Sequence, residues 1–179
     1  MSVLQSTLAA ITSGRSVFIT GSVGTGKNFL LQHAVSTLRR IHPPNSVFVT
    51  ASTGVAACAL GGQTHYSFAG VGLGKGTKNE LMSFVLKSNK AVDRWKRAKA
   101  LVIDEINMID GELFDNLEFL ASTIRNSKYD GNKPLLWGGI QLIVSGDFFQ
   151  LPPLMLLITE MSSLSNPLAG KPHSTYRWN

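Results

Sequence analysis

The segment Thr20 to Leu31, TGSVGTGKNFLL, carries glycines at 21, 24 and 26 directly ahead of Lys27. That spacing suits a loop whose backbone N–H groups wrap phosphate oxygens while a lysine neutralises their charge. Gly21, Gly24 and Gly26 permit the close backbone approach, Ser22, Val23 and Thr25 complete the cradle, and the helix that follows adds its positive end. Asn28 stands where such loops place a Ser or Thr hydroxyl on a magnesium ion. A neutral amide oxygen fits short octahedral coordination less well, so the sequence predicts phosphate binding with weakened magnesium dependence. The alternative is a glycine-rich turn that binds nothing. A strand before it and an amphipathic helix after it argue against that.

Two further segments carry polar groups of the right kind. ALVIDEINMID puts Asp104 and Glu105 at the tip of an apolar run. One carboxylate there can hold a metal ion while its neighbour activates a water. An acidic pair at a strand end also serves as a helix cap, and the upstream cradle favours the chemical role. GGIQLIVSGDFFQLPP ends its apolar run in Gly146-Asp147, with Gln150 shortly after. An amide at that place can bond a terminal phosphate oxygen. By itself the segment reads as a strand followed by a proline-terminated turn.

The elements that must hold these groups are legible from hydrophobic pattern. Residues 17–20, 47–50, 101–104 and 142–145 are short apolar runs rich in β-branched residues, as buried parallel strands are. Leu30, Leu31, Ala34, Val35 and Leu38 share one helical face, closed by Pro43-Pro44. Leu113, Phe114, Leu117, Leu120, Ala121 and Ile124 repeat the arrangement. Strands alternating with helices predict an α/β layer with a mostly parallel sheet, its ligand loops at the strand ends. Glycines at 61, 62, 70, 72, 74 and 76 predict a loop-rich middle section. GVGLGKGTK, residues 70–78, looks like a second cradle but has no strand ahead of it and reads as a flexible loop.

Composition narrows the class. The 179 residues are 44% hydrophobic and 16% charged, which predicts one soluble globular domain. No apolar run approaches the roughly 18–20 residues of a membrane span, and Met1 to Gln5 do not read as a secretory leader. Cys58 is alone, so the expected compartment is reducing. A net charge of +6 favours a polyanionic partner. LKSNKAVDRWKRAKA places Lys90, Arg94 and Arg97 on one helical face, suited to a phosphate backbone or to plain solvation. Residues 154–179 lack any period and are expected to form a poorly ordered tail.

Together TGSVGTGK, VFVTASTGVAACALGGQT, SFAGVGLG, LVIDEINMID and GGIQLIVSGDFFQLPP resemble the helicases of the petite integration frequency family, over about residues 14–153. The resemblance implies the first RecA-like P-loop domain, residues 1–153, of an ATP-driven helicase moving 5′ to 3′ on single-stranded DNA. It implies ATP and magnesium as cofactors. Lys27 would neutralise phosphate, Asp104 hold the metal, Glu105 activate water and Gln150 sense the γ-phosphate. Thr53, Gly54, Thr64 and Phe68 fall in segments that line the DNA path, with Phe68 meeting a base or packing in the core. The family works in genome maintenance (DNA repair, recombination, telomere maintenance), in the nucleus or mitochondrion.

Departures from the family pattern are specific. Asn28 replaces the hydroxyl residue, Asn107 replaces a Ser, and His65-Tyr66 stands where the family has Leu-His. Gln5 lies one residue short of the spacing of an adenine-reading glutamine. The family's second RecA-like domain and its arginine finger have no counterpart after Pro153. These 179 residues alone are therefore expected to bind nucleotide weakly and not to unwind DNA. A competing reading is a non-catalytic homologue that binds nucleotide, DNA or a partner such as a full-length helicase. A loader or transport ATPase is a third, disfavoured by the second and last segments quoted.

Overall fold

A computed structural model describes residues 2–21, 24–125, 129–130 and 133–147. Helix α1 (Val3–Thr12) leads into β1 (Val17–Thr20), α2 (Lys27–Ile41) and β2 (Val47–Ala51). Four short helices and one short strand follow: α3 (Gly54–Ala59), β3 (Gln63–Thr64), α4 (His65–Ala69), α5 (Lys78–Leu86) and α6 (Asn89–Arg97). Then come β4 (Ala100–Ile103), a 3-10 turn at Ile106–Met108, α7 (Gly111–Ile124) and a hairpin of β5 (Tyr129–Asp130) and β6 (Lys133–Pro134). A second 3-10 turn, Leu136–Gly139, precedes β7 (Gln141–Gly146).

The main sheet has the order β1-β7-β4-β2-β3 and every pairing in it is parallel. This is the predicted α/β layer. Alternation along the strands divides two cores. Ala100, Val102 and Ile143 face the side of α1 and α2, packing with Ile11, Leu31 and Leu38. Leu101, Ile103 and Leu142 face the other side, where Trp95, Leu117 and Leu120 lie. A parallel sheet buried on both faces needs apolar residues at consecutive positions, which explains the unbroken runs. No helix of the described residues is long and apolar enough to cross a membrane.

The middle section differs from the expectation of loops. Four helices occupy much of residues 54–97, each opened by a hydroxyl side chain that accepts from a backbone N–H of the first turn. Those caps are Thr53, Thr64, Thr77 and Ser88, and Thr77 forms a reciprocal capping box with Glu80. The glycines punctuate the helices rather than replace them. Gly70 closes α4 at φ 72°, and a Cβ there would lie 2.5 Å from that of Ala91. Residues 70–77 connect α4 to α5, as expected of a decoy cradle, and Lys78 opens α5.

Arg125, at the C-cap of α7, ties this half together. Its Nε donates to the Gly138 carbonyl at 2.7 Å, and its Nη1 reaches the carbonyls of Trp95, Lys96 and Ala98 at 2.7–3.1 Å. The planar fork serves helix α6, the approach to β4 and the second 3-10 turn at once. A lysine carries one ammonium and cannot span those directions. Arg125→Lys is expected to cost about 1–2 kcal/mol in denaturant unfolding, the worth of one or two charge-assisted bonds partly lost.

Candidate nucleotide site

Because the sheet is parallel, β1, β4 and β7 all end on the same edge, and the three chemistry-bearing segments meet there. Gly26 precedes α2 in a left-handed conformation (φ 83°) and that helix has no side-chain cap. The N–H groups and positive end of an uncapped helix start are the physical basis of an anion site. Gly24 is also left-handed at φ 84°, a conformation that strains any other L-residue. Lys27 Nζ donates to the Gly21 carbonyl and lies 3.9 Å from Asp147 Oδ2.

The acidic pair sits across the cleft. Ser145 Oγ and the Glu105 N–H both donate to Asp104 Oδ1, at 2.7 and 2.9 Å, so the carboxylate is fixed through one oxygen. The second oxygen has no hydrogen-bond partner among the described residues. Glu105 adopts φ 55°, ψ 45°, a left-handed conformation uncommon for a non-glycine residue. Ser52 Oγ lies 3.1 Å from Glu105 Oε2 and 3.2 Å from its carbonyl, and shares one proton between them. Ser52 and Ser145 were not singled out by sequence reasoning. Their only signal is a small polar residue at or just past a strand end.

Gly24, Gly26, Lys27, Asn28, Thr53, Asp104, Glu105, Asn107 and Asp147 line one cleft of about 690 Å³. A smaller cavity of about 180 Å³ adjoins it on the α1 side, walled by Val3, Leu4, Ile19, Phe29 and Leu30, with Thr20. The Thr20 hydroxyl is buried and has no partner among the described residues. A polar cleft beside a small apolar cavity, with a buried hydroxyl in its wall, fits the phosphates and base of a nucleotide. Carboxylates opposite Lys27 are hard oxygen donors of the kind magnesium takes. Gln5 does not read this cavity: its Oε1 accepts from the Ser2 N–H at 3.0 Å, as the return bond of the α1 capping box.

The residues assigned to a DNA path divide. Thr53 and Thr64 cap α3 and α4, and Thr53 and Gly54 are exposed. Each threonine hydroxyl oxygen accepts from a backbone N–H of the helix it caps. Phe68 takes the second of its two alternatives, packing in the core. It is 2% exposed and packs against Phe48 and Trp95 at centroid distances of 5.0 and 4.7 Å, so its face is already used. Arg94 likewise leaves the basic stripe: Nε and Nη2 donate to the carbonyls of Phe68 and Ser67 at 2.8 and 2.7 Å. Arg97 pairs with Asp93 at 2.9 Å on the exposed helix face. Ser22, Val23, Gln150 and residues 154–179 lie outside the described residues.

His65, the displaced histidine, is buried. Its Nδ1 is 2.9 Å from Thr50 Oγ1, and that hydroxyl donates to the Val102 carbonyl at 2.8 Å. The threonine has one proton and has spent it, so Nδ1 carries the hydrogen. Nε2 is then a bare acceptor, without a partner among the described residues. Burial lowers the pKa of the ring from 6.5 to about 4.

The profile of the PIF1-like helicase family matches residues 2–167. The ATP-dependent DNA helicase PIF1 of Emericella nidulans is 51% identical over 148 residues, 82% of this chain and 19% of that protein. The same-named helicase of Saccharomyces cerevisiae is 49% identical over 84% of this chain and 17% of its own length, and that of Homo sapiens 44% over 82% and 21%. The chain thus spans about a fifth of the length of these curated relatives. Among solved structures, Candida albicans Pif1 helicase aligns with a TM-score of 0.75 at 45% identity, over 87% of this chain and 34% of that one. Bacteroides sp. Pif1 in complex with ADP-AlF4 aligns at 0.65 and 28% identity, over 87% and 34%. The Bacteroides Pif1 complex with ADP-AlF3 and single-stranded DNA aligns at 0.63 and 29% identity, over 92% and 36%. The sheet and its flanking helices are the RecA-like layer of these helicases, and the chain belongs to the PIF1-like helicase family.

Proposed function

We propose that this chain is the ATP-binding motor domain of a 5′-to-3′ DNA helicase of genome maintenance, acting on single-stranded DNA. The observation that carries the reading is the meeting of Lys27, Asp104 and Glu105 in one cleft at the ends of β1 and β4. Lys27 and the N-terminal N–H groups of α2 hold phosphate oxygens. Asp104, fixed by Ser145, offers its open oxygen to a metal ion. Glu105, held by Ser52, orients and deprotonates a water aimed at the terminal phosphate. Magnesium, when bound, supplies charge neutralisation at the phosphates. The Bacteroides complexes with ADP-AlF4 and with single-stranded DNA support both ligands for this chain by kinship.

The test is ATP hydrolysis with and without single-stranded DNA, with Lys27→Ala as control. DNA-stimulated turnover that disappears in the variant is the expected result. Nucleotide or DNA binding without turnover would favour a non-catalytic homologue instead. Asn28 gives a separate prediction. Asn28→Thr should lower the magnesium concentration that half-saturates nucleotide binding by about tenfold, since it adds a hydroxyl ligand. Superimposable magnesium titrations of parent and variant would contradict that.

A further inference from the structure

Asp147 lies one residue beyond β7 and has no part in the roles assigned above. Its Oδ2 is 3.9 Å from Lys27 Nζ, and the two side chains are only 20% and 16% exposed. Its backbone N–H faces Asn107 Oδ1 at 3.4 Å, which ties it loosely to the turn after β4. The other two carboxylates of the cleft are engaged elsewhere, Asp104 by Ser145 and Glu105 by Ser52. Among the described residues, Asp147 alone directs its carboxylate at Lys27.

A phosphate oxygen that reaches Lys27 competes with this carboxylate for the ammonium, whose Nζ also donates to the Gly21 carbonyl. In a partly covered cleft, charges interact more strongly than in bulk water, so the competition matters. Three carboxylates in the cleft also repel a bare triphosphate, whereas a metal-loaded one brings its own positive charge. Asn28, which lacks the hydroxyl that would favour the metal by coordination, leaves this discrimination to charge.

We propose that Asp147 is a specificity-determining residue that makes the cleft reject metal-free nucleotide by holding Lys27 until a metal-loaded phosphate displaces it. The inference rests on the nucleotide reading of the cleft. Calorimetric titration of ATP, once in EDTA and once with excess magnesium, tests it on the parent chain, Asp147→Asn, Asp147→Glu and Glu105→Gln. Asp147→Asn should bind metal-free ATP about tenfold more tightly and change affinity for the magnesium complex less than about threefold. Asp147→Glu should restore the parental preference. Glu105→Gln removes the same charge from the same cleft without freeing Lys27, and should gain less than about threefold. An unchanged metal-free affinity in Asp147→Asn, or equal gains in it and Glu105→Gln, would overturn the proposal. A parent chain that binds neither form would instead overturn the nucleotide reading beneath it.

Discussion

Replacing Glu105 by Gln should leave nucleotide binding in magnesium within about threefold of the parent and slow turnover by about 10²- to 10⁴-fold, the range of a lost general base. The geometry explains why the effect falls on the chemical step. Glu105 is kept in a left-handed backbone conformation beside Asp104 and is bonded through Ser52, so its carboxylate is oriented before substrate arrives. The amide is isosteric and still accepts from Ser52, but it cannot take a proton from water. Rapid-quench single-turnover hydrolysis beside equilibrium binding separates the two quantities. A variant that loses binding as much as turnover would place Glu105 among the phosphate or metal contacts.

The second large effect is on stability. The pKa of His65 falls from 6.5 to about 4 in the folded chain, so the unfolded chain binds the extra proton between those values. The contribution is therefore whole above pH 6.5, declines as pH falls through the interval, and is gone below about 4. At roughly 1.4 kcal/mol per unit, the loss is about 3 kcal/mol. Other groups titrate over the same interval, so the variant to compare is His65→Leu, which restores the residue of the family pattern. Thr50 keeps its bond to the Val102 carbonyl in that variant. Urea unfolding at pH 7 and pH 4.5 should show a steeper acid loss in the parent than in His65→Leu, by about 2–3 kcal/mol. Equal slopes would mean that the ring is protonated without cost in the fold.

Strands β1, β2, β4 and β7 were legible to within one residue, because parallel strands covered on both faces must be apolar at every position, whereas the two-residue strand β3 was not. The glycine cradle and acidic pair were legible because their chemistry demands residue types at short spacing. Helices α3, α4 and α5 were hidden by the weight given to glycine, although Thr77-x-x-Glu80 is a readable start signal. Phe68 could not be settled from sequence because its burial depends on Trp95, a residue of another helix. The bonding roles of Arg125 and Arg94 were invisible for a similar reason. Their acceptors are main-chain carbonyls, which leave no trace in residue identity. The Lys27–Asp147 contact joins segments that follow the first and last strands of the described chain, and the pairing of β1 with β7 brings them within reach.

Conservation of the fold with relatives explains the layer, but the nucleotide claim stands on the cleft itself. The departures at positions 28, 65 and 107 all touch its surroundings: Asn28 and Asn107 line it, and His65 braces β2, where the Thr50 carbonyl receives the Asp104 N–H at 2.8 Å. Diffraction from crystals soaked in a non-hydrolysable ATP analogue with magnesium tests the claim most directly. Phosphate density against Lys27 and the start of α2, with the base toward Leu4 and Phe29, is the result expected. An empty cleft at saturating analogue, or phosphates bound away from Lys27, would contradict it.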